Sequence, residues 1–380
     1  MEPIEKSVLP AEDTDTFTEN TSTAAKSAAT QKNRHRGRKW LIAVGILAGL
    51  VVLCGGLLNG RIATMRHLNR IGDGVYTLRY RQNYHLDRAL AADISNDNEL
   101  MDFVVKEFFF GLPVMQKNDE MYACSAFITD SPDGQKLVGR NFDFIDTDAV
   151  SVYTEPKDGY ASISTVCAGV INIGEPAGIP VTSLTGRAAM LAAPYLCVDG
   201  VNEKGLSVTI LDLGKGSTAQ KTDAPDLHLT VAVRLLLDRA ATVNEAVNLL
   251  RQYDICCGHG YSQHLFIADS SGRSVVTEWV AEFPKGFLLH VIETPVCTNF
   301  TMTNVADPAE YPAQCSRFAT ITDRLHERPV NDVTQTLEVL EAASVKWTQW
   351  SLVYGTGDFS VDLTVQRDFQ TVYHLTPASY

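Results

Sequence analysis

The stretch from Cys124 to Phe144, CSAFITDSPDGQKLVGRNFDF, decides how this chain is expected to fold and react. Two strand-like runs flank Ser131-Pro132-Asp133-Gly134, and Pro-Asp-Gly is typical of a tight turn. The pattern predicts a β-hairpin in which Cys124 opens one strand while Arg140 and Asp143 close its neighbour. In that arrangement Arg140 would lower the pKa of the thiol, and Asp143 would orient and charge-balance a nearby base.

No histidine lies near Cys124 in the sequence, so the base must come from elsewhere in the fold or from the cysteine itself. The segment resembles the N-terminal nucleophile hydrolases of the choloylglycine hydrolase and penicillin V acylase family. It is also similar to the acid ceramidase and N-acylethanolamine amidase branch, which shares the Gly-Arg-Asn-x-Asp-aromatic pattern. The resemblance implies that the bond before Cys124 is cleaved and that the freed α-amino group, with a pKa of about 8, acts as the base.

Three further motifs follow in the order that the resemblance requires. Residues 199–206, DGVNEKGL, place Asn202 at an oxyanion position, and Cys297-Thr298-Asn299 supplies a second oxyanion asparagine. Ser316-Arg317-Phe318 supplies an arginine that would support the network around the nucleophile. The implied catalytic residues are Cys124, Arg140, Asp143, Asn202, Asn299 and Arg317, with no metal and no cofactor. The resemblance extends from about Met121 to the C-terminus.

The same resemblance implies an α+β fold, the Ntn-hydrolase four-layer αββα sandwich of two antiparallel sheets with helices outside. The residues alone also favour α+β, because hairpins and helices occur in separate runs instead of strict βαβ alternation. A second hairpin is predicted between His264 and Trp279. Helices are predicted over Asn98–Phe110, Leu227–Ala240, Val243–Tyr253, Arg317–His326 and Val333–Ala343, and further strands over Gly74–Tyr80, Ser351–Tyr354, Phe359–Val365 and Thr371–Leu375.

The N-terminal region predicts a membrane anchor. Residues 1–39 are poor in large apolar side chains and are expected to be disordered. Residues 40–58 carry no charge and would extend about 28 Å as a transmembrane helix, close to the hydrocarbon thickness of a bilayer. Because the basic cluster lies before this span, the N-terminus is expected in the cytoplasm and the catalytic domain outside. A cleaved signal peptide is the main alternative, but the long leader and the absence of a clean A-x-A site favour a single-pass anchor.

The segment between the anchor and the nucleophile, residues 59–123, is expected to be a pro-segment or small subunit that contains the amphipathic helix. Scission is predicted between Ala123 and Cys124, which leaves residues 124–380 as the catalytic domain. That domain would keep its place at the membrane only if residues near 74–113 pack onto it.

Composition bounds the partners of the protein. A hydrophobic share of 45% and a charged share of 20% over 380 residues are typical of a globular chain. The net charge of −13 makes nucleic acid an unlikely partner, since phosphate backbones require basic surfaces. The eight cysteines are too dilute for a disulfide framework, although their number permits bridges. An assembly of identical chains is compatible with these observations.

Alternative interpretations exist for every motif. Cys124 could be an ordinary buried thiol, Arg140 and Asp143 a structural ion pair, and the two asparagines turn caps. The cluster Cys256-Cys257-Gly258-His259, with His264 nearby, invites a metal site or a Cys/His dyad. Its spacing matches no usual zinc pattern, and the papain-like signature is absent. Residues 299–301 also form a glycosylation sequon, but a catalytic asparagine should carry no sugar.

The sequence therefore predicts a membrane-anchored, autoprocessed hydrolase of linear amide C–N bonds that acts on small N-acyl amides through a thioester. The alternatives are an acyltransferase on the same scaffold and an inactive membrane-anchored binding protein. Bile-salt conjugates, penicillin-type amides, N-acyl amino acids, N-acylethanolamines and acyl-homoserine lactones all fit the expected chemistry, and no pocket residue distinguishes them.

Overall fold

Two large β-sheets, a small two-stranded sheet and the covering helices build the described part of the protein. The computed structural model describes residues 58–109, 111, 123–216, 218–258 and 260–380. In chain order the strands are β1 (Leu68–Gly72), β2 (Val75–Arg79), β3 (Ala123–Asp130), β4 (Lys136–Asp143), β5 (Ala149–Thr154), β6 (Ser162–Cys167), β7 (Cys197–Asn202), β8 (Ser207–Lys215), β9 (Asp226–His228), β10 (Asp254–Cys256), β11 (Tyr261–Ala268), β12 (Ser274–Glu282), β13 (Gly286–Glu293), β14 (Val296–Cys297), β15 (Thr348–Gly355), β16 (Ser360–Val365) and β17 (Tyr373–Leu375). The α-helices are α1 (residues 58–66), α2 (Leu86–Leu90), α3 (Asp97–Phe109), α4 (Leu184–Ala189), α5 (Leu229–Arg239), α6 (Val243–Leu250), α7 (Tyr311–Gln314), α8 (Ser316–Glu327) and α9 (Val333–Ala342).

The sheets lie between two layers of helices. The nine-stranded sheet has the order β1-β2-β5-β6-β7-β8-β11-β12-β13, and the six-stranded sheet has the order β14-β3-β4-β15-β16-β17. Helices α5 and α6 pack on the first sheet, α8 and α9 pack on the second, and β3 contacts β8 between the sheets. The predicted α+β class is confirmed, and the layers follow the expected helix–sheet–sheet–helix order.

Strands β5 to β7 are buried along their whole length because helices and the second sheet cover both faces. Such strands lack the alternation of apolar and polar residues that marks a half-exposed strand. The sequence analysis therefore predicted none of the strands between residues 144 and 226. The strands predicted elsewhere are present, and each predicted helix is found with its described ends within three residues of the prediction.

The nine-stranded sheet is not wholly antiparallel, which corrects the predicted sandwich of two antiparallel sheets. Strand β2 pairs with β5 in parallel, with Val75 opposite Ala149 and Arg79 opposite Tyr153. Parallel neighbours need a long crossover. Here the chain supplies one by passing through α2, α3 and the β3–β4 hairpin before it returns to the sheet.

The described segment before Cys124 is an integral part of the fold. The Tyr84 hydroxyl donates to Asp238 Oδ2 at 2.6 Å, and the Tyr80 hydroxyl donates to the Leu191 carbonyl at 2.6 Å. Residues 60–380 form one compact unit. Together with the β2–β5 pairing, these contacts pack residues 75–84 onto the part of the chain that follows Cys124.

The predicted anchor, residues 40–58, and the predicted disordered tail, residues 1–39, lie outside the described residues except for Leu58. Within the described part of the chain, no helix is both long and apolar enough to cross a bilayer.

Candidate active site

The predicted hairpin forms, and its register determines which residues meet. Strands β3 and β4 pair antiparallel, with Cys124 opposite Phe142, Ala126 opposite Arg140 and Ala123 opposite Asp143. The chain is continuous through Ala123 and Cys124, the first two residues of β3. In this continuous chain the nitrogen of Cys124 is a peptide nitrogen.

The backbone of Cys124 is held on both sides by side chains that are distant in sequence. Its N–H donates to Asn299 Oδ1 at 2.6 Å, and its carbonyl accepts from Arg317 Nη1 at 2.6 Å. Arg317 Nη2 also donates to Asn299 Oδ1 at 2.9 Å. The structure thus brings three of the predicted site residues into direct contact.

Local pairing and packing explain how Asn299 and Arg317 reach Cys124. Strand β14 pairs with β3 in a register that sets Cys297 opposite Ala126, so the chain two residues later lies beside Cys124. Helix α8 packs on β3 and β14. Its buried face contains Phe318, which fixes the first turn and therefore Arg317.

Asp143 completes this side of the site. Its Oδ2 accepts from Arg317 Nη1 at 2.9 Å, and its Oδ1 accepts from the Thr348 hydroxyl at 2.6 Å. Burial raises the pKa of Asp143 despite the hydrogen bond from Thr348 and the positive charge of Arg317. The hydrogen bonds to Thr348 and Arg317 together fix the carboxyl group, and through it the position of Arg317.

Arg140 lies on the other side of the thiol and has a different acidic partner. Its Nε donates to Asp199 Oδ2 at 3.0 Å, and both side chains are fully buried. Tyr354 donates to the second oxygen of Asp199 at 2.6 Å. The positive charge of Arg140 also acts on the Cys124 thiol, where it favours a lower pKa. The alternative of a simple Arg140–Asp143 ion pair does not apply, because each of these two residues forms its ion pair with another partner.

The thiol of Cys124 has a pKa raised to about 11 in the uncut chain. Burial is the largest cause, the positive charge of Arg140 opposes it, and the negative charges of Asp143 and Asp212 add to it. The predicted lowering by Arg140 exists as one contribution, but burial outweighs it. Cys124 is therefore protonated at neutral pH before any change in its surroundings.

The structure contradicts the oxyanion role predicted for Asn202. This fully buried side chain donates to the carbonyls of Leu237 at 3.0 Å and Ala240 at 2.7 Å. Its Oδ1 accepts from the N–H groups of Lys204 at 3.0 Å and Leu206 at 3.1 Å. Both amide hydrogens are committed to the end of α5, so Asn202 acts as a turn residue, the alternative that its Asn-Glu-Lys-Gly context also permitted.

Two acidic residues that the sequence analysis did not assign to the site belong to it. Asp199 is the partner of Arg140, and it lies in the motif that drew attention to Asn202. Asp212 accepts from Asn299 Nδ2 through its carbonyl at 2.6 Å and from Gln263 through its carboxylate at 2.6 Å. No local motif marks Asp212, because its position arises from the pairing of β8 with β11.

A second buried cluster adjoins the segment that carries Asn299. His264 Nε2 lies 3.5 Å from the Cys297 sulfur, and His264 Nδ1 lies 3.1 Å from Glu278 Oε1. Glu278 also accepts from the N–H groups of Met302 at 2.8 Å and Thr303 at 3.0 Å. Burial alone would raise the pKa of Glu278, but the hydrogen bonds from His264 and Thr303 hold it below its usual value.

The metal and dyad interpretations of Cys256 and Cys257 gain no support from this arrangement. His264 contacts Cys297 instead, and His259 lies outside the described residues. Within the described ranges, no group of three or more potential ligands could hold a metal ion. The seven cysteines in that part of the chain are free thiols.

Comparison with known proteins identifies the family. Residues 124–302 match the model of the choloylglycine hydrolase family, described as linear amide C–N hydrolases. This segment belongs to the choloylglycine hydrolase family. The matched segment begins at Cys124 and ends three residues after Asn299, so it contains both of these residues but not Arg317.

The chain is also similar to solved structures of other proteins. Penicillin V acylase from Agrobacterium tumefaciens is 18% identical, with a TM-score of 0.48 over 67% of this chain and 86% of that chain. A mutant of the conjugated bile acid hydrolase from Clostridium perfringens is 14% identical, with a TM-score of 0.48 over 68% of this chain and 93% of that chain. No curated protein sequence matches the chain.

Proposed function

We infer that this protein is an amide hydrolase that cleaves its own chain before Cys124 and then uses that cysteine as an N-terminal nucleophile. The observation that carries the proposal is the clamp on Cys124. Its nitrogen is held by Asn299 and its carbonyl by Arg317, and the positive charge of Arg140 acts on its thiol. A structural cysteine needs none of these contacts, whereas a residue that must present both a thiol and an amino group needs all of them.

Self-cleavage would proceed by an N-to-S acyl shift. The Cys124 sulfur attacks the carbonyl carbon of Ala123, the C–N bond breaks, and the nitrogen takes a proton to become an amino group. Water then hydrolyses the thioester, which gives a carboxylate on Ala123 and restores the thiol. The Asn299 oxygen, 2.6 Å from the Cys124 nitrogen, is placed to retain the new amino group.

Cleavage also changes the electrostatics of the thiol. A protonated α-amino group is a positive charge on the same residue, so it favours the thiolate and lowers the pKa of the thiol from the value of about 11 in the uncut chain. The neutral amino group can accept the thiol proton. The cut chain is therefore more reactive than its precursor.

Amide hydrolysis would follow the same bond changes on an external substrate. The thiolate attacks the amide carbonyl, and the proton held by the α-amine passes to the leaving nitrogen as the C–N bond breaks. Asn299 donates one amide hydrogen to Asp212 and has a second for the developing oxyanion. Water then attacks the thioester, releases the carboxylic acid and returns the proton to the amine.

The substrate class proposed here is a small N-acyl amide. The family assignment to linear amide C–N hydrolases supports it, and the names of the two solved relatives refer to a penicillin acylase and a bile acid hydrolase. The test is to incubate the cut protein with N-acyl amides, measure amine release, and search the Cys124 peptide for a trapped acyl mass. A Cys124→Ala variant should show neither signal, and equal amine release by this variant would refute the proposal.

The proposal includes an extracytoplasmic catalytic domain on a single-pass anchor at residues 40–58. It rests on the uncharged apolar run and the preceding basic cluster. Deletion of residues 1–58 should move the protein from the alkaline-washed membrane pellet to the supernatant. Retention of the deleted form in the pellet, with its fold intact by circular dichroism, would contradict the anchor.

A further inference from the structure

Two fully buried side chains reach from the nine-stranded sheet to the chain segment 297–303. His264 lies on β11 and Glu278 on β12, and these two strands pair antiparallel. Segment 297–303 begins at the end of β14, in the six-stranded sheet, and it contains Asn299. The hydrogen bonds of His264 and Glu278 therefore connect the two sheets at the segment that holds the Cys124 nitrogen.

Glu278 holds the backbone that follows Asn299. Its Oε1 accepts from the Met302 N–H at 2.8 Å, and its Oε2 accepts from the Thr303 N–H at 3.0 Å and from the Thr303 hydroxyl. His264 Nδ1, at 3.1 Å from Oε1, is the fourth donor. Since a carboxylate offers about four acceptor positions, these donors saturate Glu278 and fix its place.

His264 holds the chain that precedes Asn299. Its Nδ1 faces the carboxylate and carries a proton, while its Nε2 faces the Cys297 sulfur at 3.5 Å. Burial raises the pKa of the Cys297 thiol well above its usual value, so the thiol keeps a proton that it can donate to Nε2. The network thus holds the chain two residues before Asn299 and three residues after it.

Apolar packing holds the same segment from another side. The ring of Phe300 packs against Tyr311 and Phe318, at centroid distances of 5.7 and 5.6 Å. Apolar contacts are non-directional, so they bury this ring without fixing the direction of the neighbouring carboxamide. Hydrogen bonds fix both distance and direction. The contacts of His264 and Glu278 are therefore the ones suited to set the position of Asn299.

We propose that His264 and Glu278 are positioning residues that place Asn299 for self-cleavage and for the later amide hydrolysis. Asn299 Oδ1 lies 2.6 Å from the Cys124 nitrogen, and Asn299 Nδ2 donates to the Asp212 carbonyl at 2.6 Å. A shift of the segment by about 1 Å moves these groups out of hydrogen-bond range, and a misplacement of that size can slow a reaction about 100-fold. The inference rests on the proposed function and adds two residues to it.

The test measures the first-order rate at which the refolded full chain is cut before Cys124, which requires no external substrate. Glu278→Gln keeps the size of the side chain but replaces one acceptor oxygen by an amide group that cannot accept, so cleavage should slow at least about tenfold. Asp269→Asn is the matched control, because Asp269 is also buried and accepts from the Val243 N–H at 2.8 Å, at the β11–β12 turn. It should change the rate less than about twofold, with both variants folded by circular dichroism.

A double-mutant cycle separates the positioning of Asn299 from a general loss of stability. If Glu278 acts through Asn299, Glu278→Gln should slow cleavage less than about twofold when Asn299→Ala is already present, since the carboxamide that it positions is gone. An undiminished tenfold loss in that background, or a wild-type rate for Glu278→Gln alone, would overturn the proposal. A wild-type chain that is never cut would instead refute the proposed self-cleavage.

A second pair of variants serves if Glu278→Gln does not fold or if Asn299→Ala is cut too slowly to follow. Cys297→Ala removes the thiol that faces His264 Nε2, and Cys297→Ser restores a donor of similar size there. We expect Cys297→Ala to be cut at least about threefold more slowly than Cys297→Ser. Equal rates for these two folded variants would overturn the proposal.

Discussion

Replacement of Asn202 by alanine separates a structural role from a catalytic one. The side chain makes four hydrogen bonds, two as donor and two as acceptor, all with backbone groups. At about 0.5–1.5 kcal/mol for each bond, the loss corresponds to about 2–6 kcal/mol of unfolding free energy. Because the residue is fully buried, water is not available to replace those bonds.

The assay has two readouts on protein that is already cut. Urea unfolding monitored by tryptophan fluorescence should show a lower midpoint for Asn202→Ala, and kcat measured below the transition should stay within about threefold of the wild type. Asn299→Ala is the matched comparison, since removal of one oxyanion donor costs about 2.7–4 kcal/mol of transition-state stabilisation. The reasoning is refuted if Asn202→Ala keeps its stability and loses kcat by 100-fold or more.

Three further predictions follow from the buried charges. The lysine of Arg317→Lys cannot contact Asp143, Asn299 and the Cys124 carbonyl at the same time. Since a charged hydrogen bond is worth about 1.5–3 kcal/mol, kcat should fall at least about tenfold. An unchanged kcat would contradict the role of Arg317 in holding the Cys124 backbone. The thiol pKa of Cys124 before cleavage is about 11, so the self-cleavage rate of freshly refolded precursor should rise with pH between 7 and 10. The rate is measured from the loss of the full-length band on gels. A rate that stays flat or falls with pH would argue against thiolate attack. The folded pKa of Glu278 lies below its usual value, so its ionised form stabilises the fold above a pH of about 4 and that contribution is lost as the pH falls through the folded pKa. Chemical unfolding of Glu278→Gln should therefore lose stability against the wild type at pH 7 and converge with it in acid, whereas a constant difference would refute this assignment.

The sequence predicted the parts of the site that depend on local pattern. The turn at 131–134 sets the β3–β4 register, and that register alone places Arg140 and Asp143 near Cys124. The assignments of Asn299 and Arg317 came from family-like motifs, and the structure places both within hydrogen-bond distance of the nucleophile's backbone.

The remainder could not be predicted, because it depends on contacts between distant strands. The Asn-Glu-Lys-Gly stretch suits both an oxyanion loop and a turn, and only the packing of α5 shows that Asn202 holds the turn. Asp212 lies opposite Gln263 because β8 pairs with β11 across about fifty residues of chain, and local patterns do not encode such pairing. The parallel β2–β5 pair was missed for the same reason.

Determination of the N-terminus of the purified chain tests self-cleavage most directly. Edman sequencing and intact mass should reveal a fragment that begins at Cys124 and has 257 residues, from 380 minus 123, together with its partner ending at Ala123. Cys124→Ala should remain a single chain. A wild-type chain that stays uncut and yet hydrolyses amides at full rate would contradict the amino-terminal cysteine mechanism.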